Sequence, residues 1–230
     1  MNNNIDQPLW SEMWKGIASA ELTQALVAIA KSKTLSHGEL LYASGDKASA
    51  LYGVKSGAIR LMATTLDGNE SLTSLHGEGS WFGEISLFDD FPRPVDAYAM
   101  GETEILVVSS AQLQSILDDN PIWYKDFAKV LCHKLRITMN HFNTEPLPVA
   151  VRIALRLLDL AQVFGKQTDQ GILIDIKLVQ EDIAKMLLVR RQTVNINMRL
   201  LEKDNLVERQ KGKILLRDTQ ALKDYVHNQY

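Results

Sequence analysis

The sequence predicts an α+β chain: an antiparallel all-β domain, then one long amphipathic helix, then a helix-turn-helix followed by a basic hairpin. Three observations carry this. From Lys33 to Ser110 the apolar residues come in short runs separated by glycine or Asp-Gly-Asn, the pattern of short strands and tight turns in a sandwich or barrel. After Pro121, the residues Tyr124, Ala128, Leu131, Leu135, Thr138 and Phe142 fall on a 3–4–3–4 seam, a coiled-coil stripe about three heptads long. Between Val179 and Lys203 two short helical patterns meet at a tight turn, and polar residues crowd one face of the second, as on an amphipathic helix with one buried side.

The composition is that of a globular chain: 230 residues, 46% hydrophobic and 23% charged, enough for one or two domains with an ample core. No apolar run reaches the ~18 residues of a membrane span, so no membrane partner is expected. The opening MNNNIDQPLW has no basic segment leading into an apolar one, so no signal peptide is expected. The single cysteine, Cys132, excludes an internal disulfide, a zinc site of several cysteines and an iron–sulfur cluster held by the cysteines of one chain. No metal site is expected, and a reducing cytoplasm fits. The net charge of −3 conceals an asymmetry: residues 1–146 hold 11 Lys/Arg and 18 Asp/Glu, giving −7, and residues 147–230 hold 14 and 10, giving +4. An acidic sensor joined to a basic nucleic-acid module has this distribution.

Taken in order, Pro8–Lys31 reads as leading helices. Ser19 is placed to cap the second, in which Leu22, Leu26 and Ile29 share a face. The runs LLYAS, ALYGV, AIRLMATT, SLTSLH, DAYAM and EILVVS then read as strands, with turns at Gly38, Gly45, Gly57, Gly68, Gly79 and Gly101, and no helix of three turns fits among them. Beyond the long helix, Asn143–Pro148 (NTEPLP) is a breaker-rich hinge. Val149–Phe164 follows as a helix with Val149, Ile153, Leu157 and Leu160 on one face, and Gly171–Ile176 as a strand.

In the first helix of the turn motif, Ile183, Met186 and Leu187 are apolar at helical spacing, and Ala184 is small enough for close helix approach. The second, from about Arg191 to Lys203, turns Val194, Met198 and Leu201 inward. Its other face carries Arg191, Gln192, Asn195 and Arg199. Arginine matches guanine, and glutamine or asparagine can match adenine bidentately. A solvated amphipathic helix pair would show the same polar face. The segment Asn205–Arg217 (NLVERQKGKILLR) alternates around Lys211-Gly212, which signals a hairpin. The order helix, turn, helix, basic hairpin is that of a winged helix.

At this point the residues become specific. Gln180, Glu181, Ile183, Ala184, Leu187, Val189, Arg191, Thr193, Val194, Leu201, Glu202, Leu206 and Gly212 stand in the register QEDIAxxLGVSRxTVxRxLxxLExxxLI followed by a wing glycine. Residues 179–217 thus resemble the DNA-binding domain of the cyclic-AMP receptor protein and fumarate-nitrate regulator (CRP/FNR) family. The resemblance implies a second helix lying in the major groove. There Arg191, Gln192, Asn195 and Ile196 would read bases, and Arg190, Thr193, Arg199, Lys211 and Lys213 would meet phosphates. Three positions depart from the pattern. Leu188 replaces the turn glycine; a left-handed backbone there would cost leucine roughly 1–2 kcal/mol, so an adjusted turn is expected. Arg190 replaces the serine that caps the second helix. Ile196 replaces a third base-reading arginine and offers apolar contact to a thymine methyl instead.

The resemblance extends toward the N-terminus. Gly38–Leu61, with Gly45 and Gly57 at strand corners, is similar to the cyclic-nucleotide-binding jelly roll, and Phe82–Val95 (FGEISLFDDFPRPV) to its phosphate cassette. In that cassette a glycine opens a short helix toward the cyclic phosphate. The glutamate takes the ribose hydroxyl and the arginine pairs with the phosphate. The implied effector pocket is Gly83, Glu84, Ile85, Arg93, Pro94 and Thr138. Pro94 stands where a small residue presents its N–H to the phosphate, and proline has none. Met139 stands where relatives place a hydroxyl across the dimer, and Asp96 puts an acid near the anion site. The other reading of the cassette is a structural Glu84–Arg93 ion pair that no longer binds a nucleotide. His37 and His76 lie in no haem-ligand motif and read as surface or turn histidines, so haem is not expected.

The resemblance implies a sensor domain over residues 1–120, a dimerisation helix and hinge over 121–145, and a winged helix-turn-helix over 146–230. The long helix pairs two subunits in this family, so Tyr124, Ala128, Leu131, Leu135, Thr138 and Phe142 are the expected dimer seam. The expected function is a homodimeric, sequence-specific DNA-binding transcriptional regulator. Its partners would be double-stranded DNA with a roughly palindromic operator, a second copy of itself, and RNA polymerase. Its effector would be a small molecule of cyclic-nucleotide type other than cyclic AMP. The alternative is a cyclic-nucleotide-binding module that acts through protein partners. No nucleophile elbow, Walker loop or metal-ligand cluster occurs, so no catalytic residue is expected.

Overall fold

The computed structural model describes Trp14, residues 16–65 and residues 67–229. The first of the expected leading helices lies outside these residues. The chain divides into two compact units, and the break falls inside one helix, between Leu135 and Arg136.

The first unit opens with α1 (Ala20–Ile29), where Ser19 Oγ accepts the Leu22 N–H at 3.3 Å and Leu22 and Leu26 are buried. The strands follow: β1 (Lys31–Leu35), β2 (Leu40–Tyr42), β3 (Ala50–Thr64), β4 (Glu70–His76) and β5 (Trp81–Phe82). One turn of helix, α2 (Ile85–Phe88), precedes β6 (Asp96–Ser109). The strands pair antiparallel in the order β1-β6-β3-β4, with β2 on β6 and β5 on β3. The six apolar runs of the sequence make four strands, because two pairs of runs are continuous. ALYGV and AIRLMATT are both β3; DAYAM and EILVVS are both β6. The expected turns at Gly57 and Gly101 are therefore corrected to irregularities inside strands. Gly57 has φ +81°, and the ladder shifts register between Val54 and Ser56 and again across Gly57, between Ser56 and Ala58. A Cβ there would sit 2.6 Å from the Glu102 carbonyl oxygen, so glycine lets the strand bend without ending.

β1 carries one buried residue in five, Leu35, and left no apolar run to read. Behind β6 comes α3 (Ser110–Asp119), which also went unread. Its signal is Ser109-x-x-Gln112, a capping box in which Ser109 Oγ accepts the Gln112 N–H at 3.3 Å and Gln112 Oε1 accepts the Ser109 N–H at 3.2 Å. After a 3-10 turn (Pro121–Trp123) the long helix α4 (Tyr124–Thr144) begins. Phe127 and Val130 seat its first half in a core with Trp14, Leu22, Leu26, Trp81 and Leu117. A second core, inside the strands, holds Tyr42, Tyr52, Phe82, Ile59 and Ile105. The seam faces elsewhere: Leu131 is half-buried, Tyr124, Ala128 and Thr138 are exposed, and Leu135 and Phe142 are 60% and 65% exposed.

The second unit contains α5 (Val149–Phe164), β7 (Gly165–Thr168), β8 (Gly171–Ile174), α6 (Gln180–Leu187), α7 (Arg191–Lys203), β9 (Val207–Gln210), β10 (Lys213–Leu216) and α8 (Thr219–His227). Ile153, Leu157 and Leu160 of α5 are buried, and α5 packs on α6, α7 and α8. The strands form one antiparallel sheet in the order β7-β8-β10-β9. β7 is exposed throughout, which is why no apolar pattern announced it. Asp218 caps α8, its Oδ1 accepting the N–H groups of Gln220 and Ala221. Among the described residues no helix is long and apolar enough to cross a membrane.

Candidate nucleic-acid interface and effector pocket

α6 buries Ile183, Ala184, Met186 and Leu187 and ends at Leu188. The expectation of an adjusted turn is corrected here: Leu188 keeps the left-handed conformation, φ 53° and ψ 44°, with its side chain 60% exposed. Its surroundings fix that geometry. The N–H groups of Leu188 and Val189 both donate to the Ala184 carbonyl. Arg152 of α5 donates to the orphan Leu187 carbonyl at 2.7 Å. A terminus so fully bonded holds a leucine in a conformation that glycine would adopt without strain.

α7 starts after Arg190, which sits in the cap position and makes no side-chain cap bond. Val194, Met198 and Leu201 are fully buried. Arg191, Gln192, Ile196 and Arg199 are exposed, while Thr193 and Asn195 are half-buried. Asn195 is tied into its own domain. Its Oδ1 accepts from Gln180 Nε2 at 3.1 Å and from Arg209 Nη1 at 3.4 Å. Arg209 in turn grips Glu202 through two bonds, Nε to Oε1 at 2.7 Å and Nη2 to Oε2 at 2.5 Å. That hydrogen bonding holds the Glu202 carboxyl below the usual range and the guanidinium above its own. Sequence reasoning had no means of finding Arg209, because its position beside α7 depends on strand pairing between β9 and β10.

The wing turns at Lys211, φ 49°, and Gly212. Lys211 is exposed, whereas Lys213 is half-buried and paired with Asp175, which Lys166 also contacts. Hydrogen bonds from these two lysines, Lys166 first, hold the Asp175 carboxyl below the usual range. A cleft of about 490 Å³ runs between the start of α6, α7 and the wing, lined by Gln180, Arg191, Asn195, Met198, Arg209 and Lys213 among others.

In the first unit, the cassette is arranged differently from the expected Glu84–Arg93 pair, and that reading is corrected. Glu84 is fully buried and pairs with Lys134 of α4, Nζ to Oε1 2.8 Å. Arg93, 3% exposed, donates to the carbonyls of Gly83 and Ala50, each at 2.6 Å. Its guanidinium lies 4.5 Å and 5.5 Å from the ring centroids of Tyr42 and Tyr52, within cation–π range. Burial pushes the Tyr42 hydroxyl well above its ordinary pKa, with Arg93 opposing. Gly83 allows the arginine in, since a Cβ there would lie 2.8 Å from Nη1. Ile85 and Pro94 are exposed. Asp96 is engaged, its Oδ1 accepting the Ser44 N–H at 2.6 Å. Thr138 and Met139 are exposed on the part of α4 beyond Leu135. The histidines differ from each other. His37 is exposed and its Nδ1 accepts the Gly101 N–H at 2.9 Å. His76, read as a surface or turn residue, is fully buried against Phe82 at 4.8 Å, with Ser74 Oγ 3.1 Å from Nε2.

Comparison with known proteins bears on both units. Residues 32–120 match the cyclic nucleotide-binding domain family, and residues 151–225 match the Crp-like helix-turn-helix domain family. The chain is 33% identical over 159 residues to the CRP-like cAMP-activated global transcriptional regulator of Mycobacterium tuberculosis, an alignment covering 69% of this chain and 71% of that one. It is 27% identical over 217 residues to the cyclic AMP receptor protein of Thermus thermophilus, covering 93% of this chain and 96% of that one. In fold it is similar to FixK2 of Bradyrhizobium japonicum, with a TM-score of 0.75 at 20% identity, over 85% of this chain and 96% of that one. The β-domain with its cassette, the winged helix-turn-helix and these relatives agree: the chain belongs to the CRP/FNR family of transcriptional regulators.

Proposed function

We propose that this regulator works in the cytoplasm as a homodimer that reads a roughly palindromic duplex and acts on RNA polymerase. α7 lies in the major groove, and Tyr124, Ala128, Leu131, Leu135, Thr138 and Phe142 form the seam between copies. One observation supports the reading above the others. Arg191, Gln192 and Ile196, whose side chains suit base edges, stand on the face of α7 left exposed by the burial of Val194, Met198 and Leu201. Arg190, Arg199 and Lys211 are exposed beside them and take phosphates, with Thr193 and Lys213 at the margin.

The cassette does not fit cyclic AMP. Both Arg93 bonds go to backbone carbonyls, Glu84 is matched by Lys134, and Pro94 has no N–H to offer a phosphate. The effector, where one acts, is a different small molecule.

Selection from randomised duplexes, with and without cyclic nucleotide, tests the reading. Half-sites should lie about 10 bp apart, centre to centre. Leu131→Glu with Leu135→Glu places like charges in the seam and should give a monomer by sedimentation that no longer holds the selected site. A double variant that stays dimeric with full affinity sinks the seam. Failure to select any sequence favours a module that acts through protein partners.

A further inference from the structure

We infer that Arg209 decides which base Asn195 can read, by making Asn195 a hydrogen-bond donor only. The inference rests on the major-groove placement of α7 proposed above. An asparagine amide has one acceptor atom and one NH₂ group. Here Oδ1 already accepts from Gln180 at 3.1 Å and from Arg209 at 3.4 Å. The glutamine alone would not fix the orientation, because two amides can exchange donor and acceptor roles by flipping together. The guanidinium does fix it. It has donors and no acceptor, so the amide atom facing Arg209 has to be the oxygen.

Arg209 is itself held. Glu202 takes it through two bonds of 2.7 Å and 2.5 Å, a planar fork with little rotational freedom. The same carboxylate matches its charge, so Arg209 serves as a positioning residue and not as a free cation for phosphate. Residues from α6, α7 and β9 thus converge on one amide and leave its NH₂ group for the DNA.

The consequence is chemical. Adenine offers the major groove one acceptor, N7, and one donor, N6–H₂, so a bidentate match needs both ends of an amide. Guanine offers two acceptors, N7 and O6, and thymine offers O4. Asn195 with its oxygen engaged therefore favours guanine, the one base with two acceptors, and does not select adenine, where it can meet N7 alone.

The test is binding to the four base variants at the position where Asn195→Ala loses its preference. The wild-type chain should prefer guanine there. Gln180→Ala with Arg209→Met frees Oδ1, and adenine should gain roughly 5- to 100-fold relative to guanine at that position alone. Adding Asn195→Ala to that variant should abolish the gain, which general damage to the fold would not do. Adenine preferred by the wild-type chain overturns the inference even if the variants do not fold. So does a freed variant whose preference is unchanged. If Asn195→Ala moves no position while Arg191→Ala does, Asn195 is no reader and the inference falls with the helix placement intact. If neither substitution moves any position, the placement itself is wrong.

Discussion

Glu84 pairs with Lys134, 2.8 Å away on the long helix, and not with Arg93 on its own loop. The carboxylate is fully buried, and the lysine side chain is 15% exposed. The pair ties the cassette to the first half of α4, next to the core where Phe127 and Val130 already hold that helix.

Removing one member of such a pair strands the other. Lys134→Met should destabilise the first unit by about 3–5 kcal/mol, because a buried carboxylate is left without its counter-charge. Glu84→Gln with Lys134→Met should recover most of that loss, since neither residue is then charged. A double-mutant cycle on urea midpoints measures the coupling. Additive effects would mean that the two side chains do not depend on each other.

The turn between α6 and α7 supplies a second prediction. Leu188 is left-handed, and its side chain contributes little burial. Leu188→Gly removes roughly 1–2 kcal/mol of backbone strain and returns part of that through a more flexible unfolded chain, for a net gain of about 0.5–1 kcal/mol. Arg190→Ser should add about 1 kcal/mol by capping α7. Urea unfolding checks both. A less stable Leu188→Gly variant would show that the leucine side chain matters more than its backbone.

The same turn shows where sequence reasoning reached and where it stopped. The helices Gln180–Leu187 and Arg191–Lys203 were legible from apolar spacing alone, a local signal that survives the loss of the turn glycine and the capping serine. The left-handed Leu188 was not, because Arg152 from α5 and two amides hold it there, and none of these is a local preference. β3 and β6 read as two strands each, since a glycine inside a bulge looks like a glycine in a turn. β1 and β7 lack apolar runs and exist through pairing with β6 and β8. Arg156 and Asp159, both 3% exposed within α5, break the rule that charged residues face out; burial pushes the arginine down to about 10, with Asp159 opposing. The cassette residues Gly83, Glu84 and Arg93 could be named from the family resemblance, but their partners could not. Lys134, Ala50 and the two tyrosines come from distant parts of the chain.

Asp175 predicts a pH dependence. Its carboxyl is held below the usual range by Lys166 and Lys213. An acid depressed in the folded state adds stability above its unfolded pKa of about 3.9, and that stability is lost as pH falls through the folded value. The contacts are partly exposed, so the contribution is about 0.5–1 kcal/mol. Asp175→Asn should therefore be less stable than wild type above about pH 5, and the difference should vanish as pH falls toward about 2. The same substitution frees Lys213, so the salt dependence of DNA binding should steepen by up to about one phosphate contact. A stability difference independent of pH would show that the ion pairs are not its source.

The last prediction concerns the effector. Binding of cyclic AMP should be weak or absent. Three features bear on the phosphate and ribose sites. Arg93 is engaged by two carbonyls at 2.6 Å, Glu84 is paired with Lys134, and the N–H expected after the arginine is missing at Pro94. Asp96 adds little repulsion at the anion site, since its carboxylate accepts the Ser44 N–H. A charge-assisted bond lost at a phosphate oxygen is worth roughly 1.5–3 kcal/mol, and each ~1.4 kcal/mol is tenfold in affinity. Pro94 alone should therefore weaken binding by about one to two orders of magnitude. Pro94→Ser should restore part of this, and Pro94→Ser with Met139→Ser should restore more by returning the hydroxyl found in nucleotide-binding relatives. Lys134→Ala should not help, because it leaves a buried carboxylate and a less stable domain. Calorimetry on the unaltered chain decides the matter. Micromolar or tighter binding of cyclic AMP, with a matching gain in DNA affinity, would show that Arg93 and Glu84 exchange their internal partners for the ligand at little cost.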